Sequence, residues 1–193
     1  MSLFFPLAVF SSLSFNLIVH LGLGMRSIGI NWSGSKGIPL LQLGVLFLSV
    51  PLLWAVFSYL LNPLLFGSAD YFLFFPLSAL VCIGLERLLR YLFPAAMAQR
   101  ALFTPITSYD GLVPAALILT LRLASVFTEA LVLSFGFSAG ALLSLLILRG
   151  IRRRSVLERV PHFLRGVPLT LLSMGLLALI FSSLAFVFFK ALG

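Results

Sequence analysis

Two carboxylates lie beside strongly apolar stretches of a chain that has only five acidic residues in 193. Asp110 stands in TPITSYDGLVPAA, between Pro105 and Pro114, and Glu129 follows a second apolar stretch. A carboxylate inside a membrane typically serves an ion or proton path. A carboxylate at a helix start instead accepts hydrogen bonds from free backbone amides. For Asp110 the alternatives are a helix cap and an ion or metal contact in a break between helices. For Glu129 they are a polar outer turn and an ion path.

Few other side chains could bind a metal or a cofactor. Cys82 is the single cysteine, which excludes an intramolecular disulfide and any zinc or iron–sulfur site built from this chain's cysteines alone. His20 has no second histidine near it, so we interpret it as a helix-packing or interfacial residue. Gly136 and Gly140 form a GxxxG motif in SFGFSAGA, and small residues at this spacing let helices approach closely. We interpret this pair as helix packing.

The composition defines the elements that must position these residues. Apolar residues make up 61% of the chain and charged residues 9%, against about 25% charged in soluble domains, so we predict an integral membrane protein. The net charge of +8 could suggest nucleic acid. Most basic residues stand at the ends of apolar stretches, however. We therefore interpret them as signals that orient the helices in a lipid bilayer, and we expect no nucleic-acid partner.

Six stretches have about the 20 apolar residues that a bilayer-spanning helix needs. They are Leu3–Leu23, Ile38–Leu61, Tyr71–Phe93, Gly111–Val126, Thr128–Leu148 and Val167–Ala191. Eleven of the 13 Lys and Arg residues lie in or beside the links after the first, third and fifth spans, whereas the opposite side has only Arg122 and Lys190. Basic residues favour the cytoplasmic side, so both termini are expected outside.

The odd number of spans in each half predicts an internal inverted repeat. We expect a single membrane domain over 1–193, with one three-helix repeat in 1–99 and a second, inverted one in 100–193. The first and fourth spans are the Gly- and Pro-interrupted ones, and they are equivalent members of the two halves. The predicted fold class is therefore an all-α integral membrane protein with six transmembrane helices in two inverted repeats, helices 1 and 4 being broken.

Several stretches, taken in order, resemble one membrane-protein family. The resemblance rests on LSFNLIVHLGLG at 13–24, PITS at 105–108, FGFSAG at 135–140, RGIRRR at 149–154 and VPHFLRG at 160–166. With the length and the six predicted spans, these stretches resemble the A subunit of the Rnf ion-translocating electron-transport complex and the E subunit of the sodium-pumping NADH:quinone reductase. No single motif is decisive, and the similarity covers the chain from end to end.

The resemblance implies a multi-pass subunit of a bacterial inner membrane complex. Its partners would be a sister six-helix subunit of opposite topology and the other Rnf-like subunits. In that family, each sister contributes two cysteines, one from each broken helix, to a shared [2Fe-2S] cluster. Electron transfer through the cluster is coupled to Na⁺ or H⁺ movement, so the resemblance implies a non-catalytic subunit of a redox-driven translocase.

The sequence departs from the family at both cysteine positions. The first falls on Gly24, or on Met25 if the alignment shifts by one residue, and the second falls on Asp110. Glycine has no ligand atom, methionine is a weak neutral ligand, and one hard carboxylate cannot replace two thiolates. We therefore expect no cofactor bound by this chain alone and no cluster held in the usual way.

Three functions are consistent with these features. The first is a divergent Rnf-type subunit that acts as a scaffold and as part of the electron or ion path, with the usual cluster ligands missing. The second is a stand-alone inverted-repeat transporter of ions or small solutes. The third is a structural membrane subunit that stabilises another protein. The sequence has no GxGxxG or Walker motif, which argues against a self-sufficient soluble-type enzyme.

Overall fold

The computed structural model describes residues 4–14, 16–21, 40–61, 70–92, 111–157, 161 and 167–192. All regular secondary structure in these residues is helical. Two π-helical segments, Phe10–Ser14 and Val56–Leu61, are each continuous with an α-helix. The α-helices are α1 Phe4–Val9, α2 Leu17–Leu21, α3 Leu40–Ala55, α4 Asp70–Leu92, α5 Leu112–Leu123, α6 Phe127–Leu157 and α7 Val167–Leu192.

Three of the described helical stretches are long and apolar enough to cross a membrane. They are Leu43–Leu60, Phe127–Ile151 and Pro168–Lys190, where the second, fifth and sixth spans are predicted. Shorter apolar helices occupy Phe74–Leu85 and Leu112–Leu123, and short helical segments lie within Phe5–His20, at the positions of the other three. The structure thus supports an all-helical membrane protein, and the six-span count and the inverted repeat stay predictions.

Two helices differ in length from the predicted spans. α5 has 12 residues and ends at Leu123, where Ala124 adopts an extended conformation; its length is about 18 Å at 1.5 Å per residue. α6 has 31 residues and continues to Leu157, nine residues beyond the predicted end at Leu148. The prediction ended there because the apolar run ends. The helix continues because arginine is a good helix former whose backbone still forms intrahelical bonds.

α6 is the helix on which most of the other described helices pack. It contacts α1, the first π-helical segment, α2, α3, α5 and α7. Its side chains Ala130, Leu133, Phe137, Ala141 and Leu148 belong to the main buried apolar cluster. Because lipid gives no hydrophobic drive for helices to associate, contacts of this kind depend on close packing and hydrogen bonds between helices.

The glycine pair of α6 lies against the first helical segment of the chain. A Cβ atom on Gly136 would meet Ser11 Oγ and would lie 2.8 Å from the carbonyl oxygen of Ala8. A Cβ atom on Gly140 would lie 2.5 Å from the carbonyl oxygen of Ser12. These neighbours include main-chain atoms, which cannot rotate away, so only glycine permits this helix–helix distance.

A second face of α6 compensates for a proline in α3. Pro51 lies inside α3 and has no N–H to donate to the carbonyl of Phe47, four residues earlier. Ser134 Oγ of α6 donates to that same carbonyl oxygen at 2.6 Å. Ser134 is fully buried. A neighbouring helix thus supplies the hydrogen bond that the proline removes, which is how membrane helices tolerate proline.

We expect Ser134→Ala to destabilise the protein by about 1 kcal/mol or more, because it leaves the Phe47 carbonyl unsatisfied away from water. In a Pro51→Ala background the new N–H of residue 51 satisfies this carbonyl, so the same substitution should cost less than half as much. Unfolding of the detergent-solubilised protein by added SDS measures both values. Equal costs in the two backgrounds would contradict this assignment of the hydrogen bond.

We expect Gly136→Ala and Gly140→Ala each to lower the free energy of unfolding by about 1–3 kcal/mol, because the added methyl group overpacks the contact. Gly175→Ala in α7 is the matched control, since a Cβ atom there meets nothing within 4 Å. It should be neutral or stabilising, by at most about 1 kcal/mol. The same SDS titration applies, and similar losses at all three positions would rule out this packing role.

Candidate functional site

Asn16 occupies the interruption between the first π-helical segment and α2. It is 1% exposed, and its Oδ1 accepts a hydrogen bond from the backbone N–H of Val19 at 3.3 Å. Its carbonyl oxygen accepts the N–H of His20 at 2.9 Å. Asn16 is therefore the N-cap of α2, since both its side chain and its carbonyl satisfy amides of the first turn.

The other end of the Asn16 amide joins this interruption to α6. Nδ2 donates to the carbonyl oxygen of Gly140 at 2.8 Å and to that of Ser12 at 3.1 Å. Ser144 Oγ donates to the same Gly140 carbonyl at 2.9 Å. Every hydrogen-bonding atom of the amide is thus occupied by protein. The arrangement fixes the position of α2 relative to α6 and leaves Asn16 no side-chain donor for a ligand.

The segments that lead to the predicted site positions contact each other. α2 ends at Leu21 and α5 begins at Leu112, and these two helices are in contact. Gly24 and Met25 follow the end of α2 by three and four residues, and Asp110 precedes α5 by two. All three lie outside the described residues, so their roles stay predictions.

The start of α5 differs from the cap that the sequence suggests for Asp110. Gly111 is the N-cap, with φ of 69°, and its carbonyl accepts the N–H of Ala115 at 3.0 Å. Positive φ is accessible to glycine without strain. Asp110 therefore precedes the N-cap by one residue. Pro114 is the third helical residue, where its missing N–H breaks no intrahelical bond.

Glu129 forms a hydrogen-bonded turn at the start of α6. Its Oε2 accepts the backbone N–H of Ser125 at 2.8 Å and that of Val126 at 3.4 Å. Glu129 is the third residue of α6, and Val126 is the residue before the helix. A glutamate that reaches back to the amide before the helix is the acidic half of a capping box. This geometry gives the carboxylate a structural partner, and the predicted ion path through it stays a prediction.

The remaining polar side chains form no metal-binding group in the described part of the chain. No cluster of three or more His, Cys, Asp or Glu residues occurs among these residues. Cys82 is fully buried on α4. His20, in the last turn of α2, lies with its Nε2 3.0 Å from Ser182 Oγ of α7. The described arrangement of these polar side chains therefore supports helix positioning.

Sequence reasoning missed the polar residues that join the helices. Asn16 lies in LSFNLIVHLGLG and Ser134 begins SFGFSAGA, yet neither stretch indicates a partner for the polar side chain, and only the fold shows which carbonyl each one meets. One signal was available for Asn16, since asparagine before an apolar run is a typical helix start. The hydrogen bond of Ser134 depends on Pro51, and the sequence gives no indication that the two belong together.

Comparison with known proteins finds relatives that are subunits of ion-translocating oxidoreductases. The chain is 30% identical over 178 residues to the E subunit of the Na⁺-translocating NADH-quinone reductase of Proteus mirabilis, covering 87% of this chain and 89% of the relative. It is 32% identical over 100 residues to the A subunit of the ion-translocating oxidoreductase complex of Syntrophotalea carbinolica, covering 52% of each. The E subunit of the Hahella chejuensis reductase is 32% identical over 99 residues, 51% of this chain and 49% of the relative.

The fold and these relatives together define the class. The first relatives are matched over about half of their length, whereas the Proteus mirabilis protein is matched almost throughout. No protein-family profile matches the chain. A helical, strongly apolar chain with these relatives is a membrane protein. It belongs to the family that contains the A subunit of the ion-translocating oxidoreductase complex and the E subunit of the Na⁺-translocating NADH-quinone reductase. The resemblance in the sequence motifs is confirmed at the family level.

We expect Glu129→Gln to leave both stability and ion-coupled activity near the wild-type level, because glutamine keeps an acceptor oxygen for the amides of Ser125 and Val126. Glu129→Ala removes it and should cost about 0.5–1 kcal/mol of stability. SDS unfolding and ion transport in membrane vesicles measure the two effects. A large loss of transport in Glu129→Gln with normal assembly would instead assign the charge to an ion path.

Proposed function

We propose that this chain is an integral membrane subunit of an Rnf- or Nqr-like ion-translocating electron-transport complex. It acts there as a scaffold and as part of the electron or ion path. The observation that carries the proposal is the alignment with the E subunit of a Na⁺-translocating NADH-quinone reductase over 178 residues, 89% of that relative. A similarity that includes almost the whole relative favours the same place in a related complex over an unrelated use of the bundle.

The contact between α2 and α5 supports the predicted inverted repeat. These helices belong to the first and fourth predicted spans, which are equivalent in the two halves, and they are in contact. In inverted-repeat membrane proteins, interrupted helices from the two halves meet near the middle of the bilayer and line a shared site. We therefore propose six spans in two inverted repeats, with both termini outside and the interrupted first and fourth helices at the centre.

The donor set does not fit a [2Fe-2S] cluster held in the family's way. By the resemblance of the sequence motifs, Gly24 or Met25 and Asp110 match the two cysteine positions, and these residues offer no thiolate. Cys82 is buried on α4, away in sequence from both positions. We propose that this subunit binds no cluster with its own residues and that its share in electron transfer consists of positioning its partners.

The expected partners follow from this position in the complex. We propose that the chain pairs with a sister six-helix subunit of opposite topology in a bacterial inner membrane, and that other Rnf-like subunits complete the assembly. Eleven of the 13 basic residues lie in or beside the three links assigned to the cytoplasm, which supports this orientation.

Purification of the native complex through a tag on this chain tests the proposal. We expect electron-transport subunits to copurify and the tagged complex to show ion-coupled electron transfer. A chain that purifies alone and transports a solute in vesicles would contradict the proposed function and support the stand-alone transporter.

Iron analysis and EPR of the same preparation test the missing ligands separately. We expect no [2Fe-2S] signal that depends on residues of this chain, so Gly24→Ala, Met25→Ala and Asp110→Ala should leave the iron content unchanged. The double variant Gly24→Cys with Asp110→Cys is the converse test, because it restores the family's donor set and should raise bound iron if a sister subunit supplies two further thiolates. Loss of a [2Fe-2S] signal in Asp110→Ala would show that this chain does ligate a cluster.

A further inference from the structure

A polar pair lies on an otherwise apolar exposed face of the helices. His20 Nε2 and Ser182 Oγ are 3.0 Å apart and join α2 to α7, and both side chains are exposed. Their neighbours one turn away on α7 are large exposed apolar side chains, Leu179 and Phe186, at 70% and 69% exposure. Within the described residues, the second ring nitrogen of His20 has no hydrogen-bond partner.

The pair lies deep within the length of α7 that can cross a membrane. This stretch is Pro168–Lys190. At 1.5 Å per residue, Ser182 is about 21 Å along the helix from Pro168 and about 12 Å from Lys190. The hydrocarbon core is about 30 Å thick. Neither the serine hydroxyl nor the imidazole is long enough to reach a headgroup region over such a distance.

Lipid hydrocarbon cannot satisfy the hydrogen-bonding groups of this pair. A neutral imidazole has one N–H donor and one acceptor nitrogen, and the contact with Ser182 uses only one of them. Whichever tautomer is present, one hydrogen-bonding group then faces hydrocarbon, where it has nothing to bond to. Polar side chains on membrane helices accordingly face protein or a water-filled cavity.

We propose that the His20–Ser182 pair marks the face of α2 and α7 that packs against a transmembrane helix of another subunit. This helix presents a hydrogen-bonding side chain or a free backbone carbonyl to the imidazole. The inference rests on the proposed function, because it takes the partner from the same complex. It specifies that the face of α2 and α7 forms the contact and that the His20–Ser182 pair selects the partner.

Spin labels on two leucines of matched exposure test the proposal. Leu179→Cys lies one turn from Ser182 on α7 and is 70% exposed, and Leu80→Cys on α4 is 68% exposed. The native Cys82 is fully buried and so resists labelling. Collision of each nitroxide with dissolved O₂, which concentrates in lipid, is measured by EPR in membranes that contain the chain alone and in membranes with the other subunits co-expressed.

We expect O₂ accessibility at position 179 to fall at least threefold when the other subunits are present and to stay constant at position 80. Low accessibility at 179 in the chain alone would mean that its own residues cover the face. Access of a water-soluble nickel chelate would indicate a water-filled cavity, and spin–spin broadening in the chain alone would indicate a second copy. Each of these outcomes, or equal protection at both positions, would overturn the proposal.

Substitution of the pair supplies a second readout. We expect His20→Ala to reduce the copurified membrane partner at least fivefold and His20→Gln to restore it, because glutamine has both a donor and an acceptor. Ser183→Ala is the control, since that hydroxyl donates only to the Ile180 carbonyl of its own helix. Unchanged copurification in His20→Ala would overturn the role of the pair. If the partner is absent even from the wild-type preparation, the proposed function fails instead.

Discussion

The bundle depends on hydrogen bonds that side chains of one helix donate to backbone carbonyls of another. Ser134 of α6 supplies the bond that Pro51 removes from the Phe47 carbonyl, and Asn16 joins the start of α2 to the Gly140 carbonyl. In the absence of water the Phe47 carbonyl would otherwise lack a donor, whereas the Gly140 carbonyl also accepts from Ser144 Oγ of its own helix. The packing of α3 on α6 therefore satisfies a backbone group that α3 cannot satisfy by itself, and the Asn16 hydrogen bond fixes the start of α2 against α6.

Such bonds require helices that approach closely, and α6 permits this on the side of its glycines. Gly136 and Gly140 bring the helix within contact of the main chain at Ala8 and Ser12. The Asn16 amide can reach the Gly140 carbonyl at 2.8 Å because no side chain separates them. Close packing and hydrogen bonding thus depend on each other here. Glycine permits a short distance between the helices, and this short distance permits the hydrogen bond.

The sequence predicted helix positions well and their polar contacts poorly. Apolar run length located the helices now seen at Asp70–Leu92 and Val167–Leu192 to within a residue at each end. It ended the fifth span too early, because arginines that stop an apolar run do not stop a helix. For the start of α5 it offered Asp110 as one possible cap, whereas the N-cap is Gly111, which has a positive φ. The partners of Asn16 and Ser134 lie 124 and 87 residues away, a distance over which no local pattern carries information.

The pairing of Ser134 with the carbonyl near Pro51 has a consequence for membrane insertion. The two residues that share this bond are 87 positions apart in the chain, so α3 is synthesised well before its donor. At about 5–20 residues per second, the interval is roughly 4–17 s. During this time α3 crosses the bilayer before Ser134 can donate to the Phe47 carbonyl. Only water, the insertion machinery or another protein can then donate a hydrogen bond to this carbonyl. The order in which helices leave the ribosome thus becomes part of how this bundle reaches its folded state.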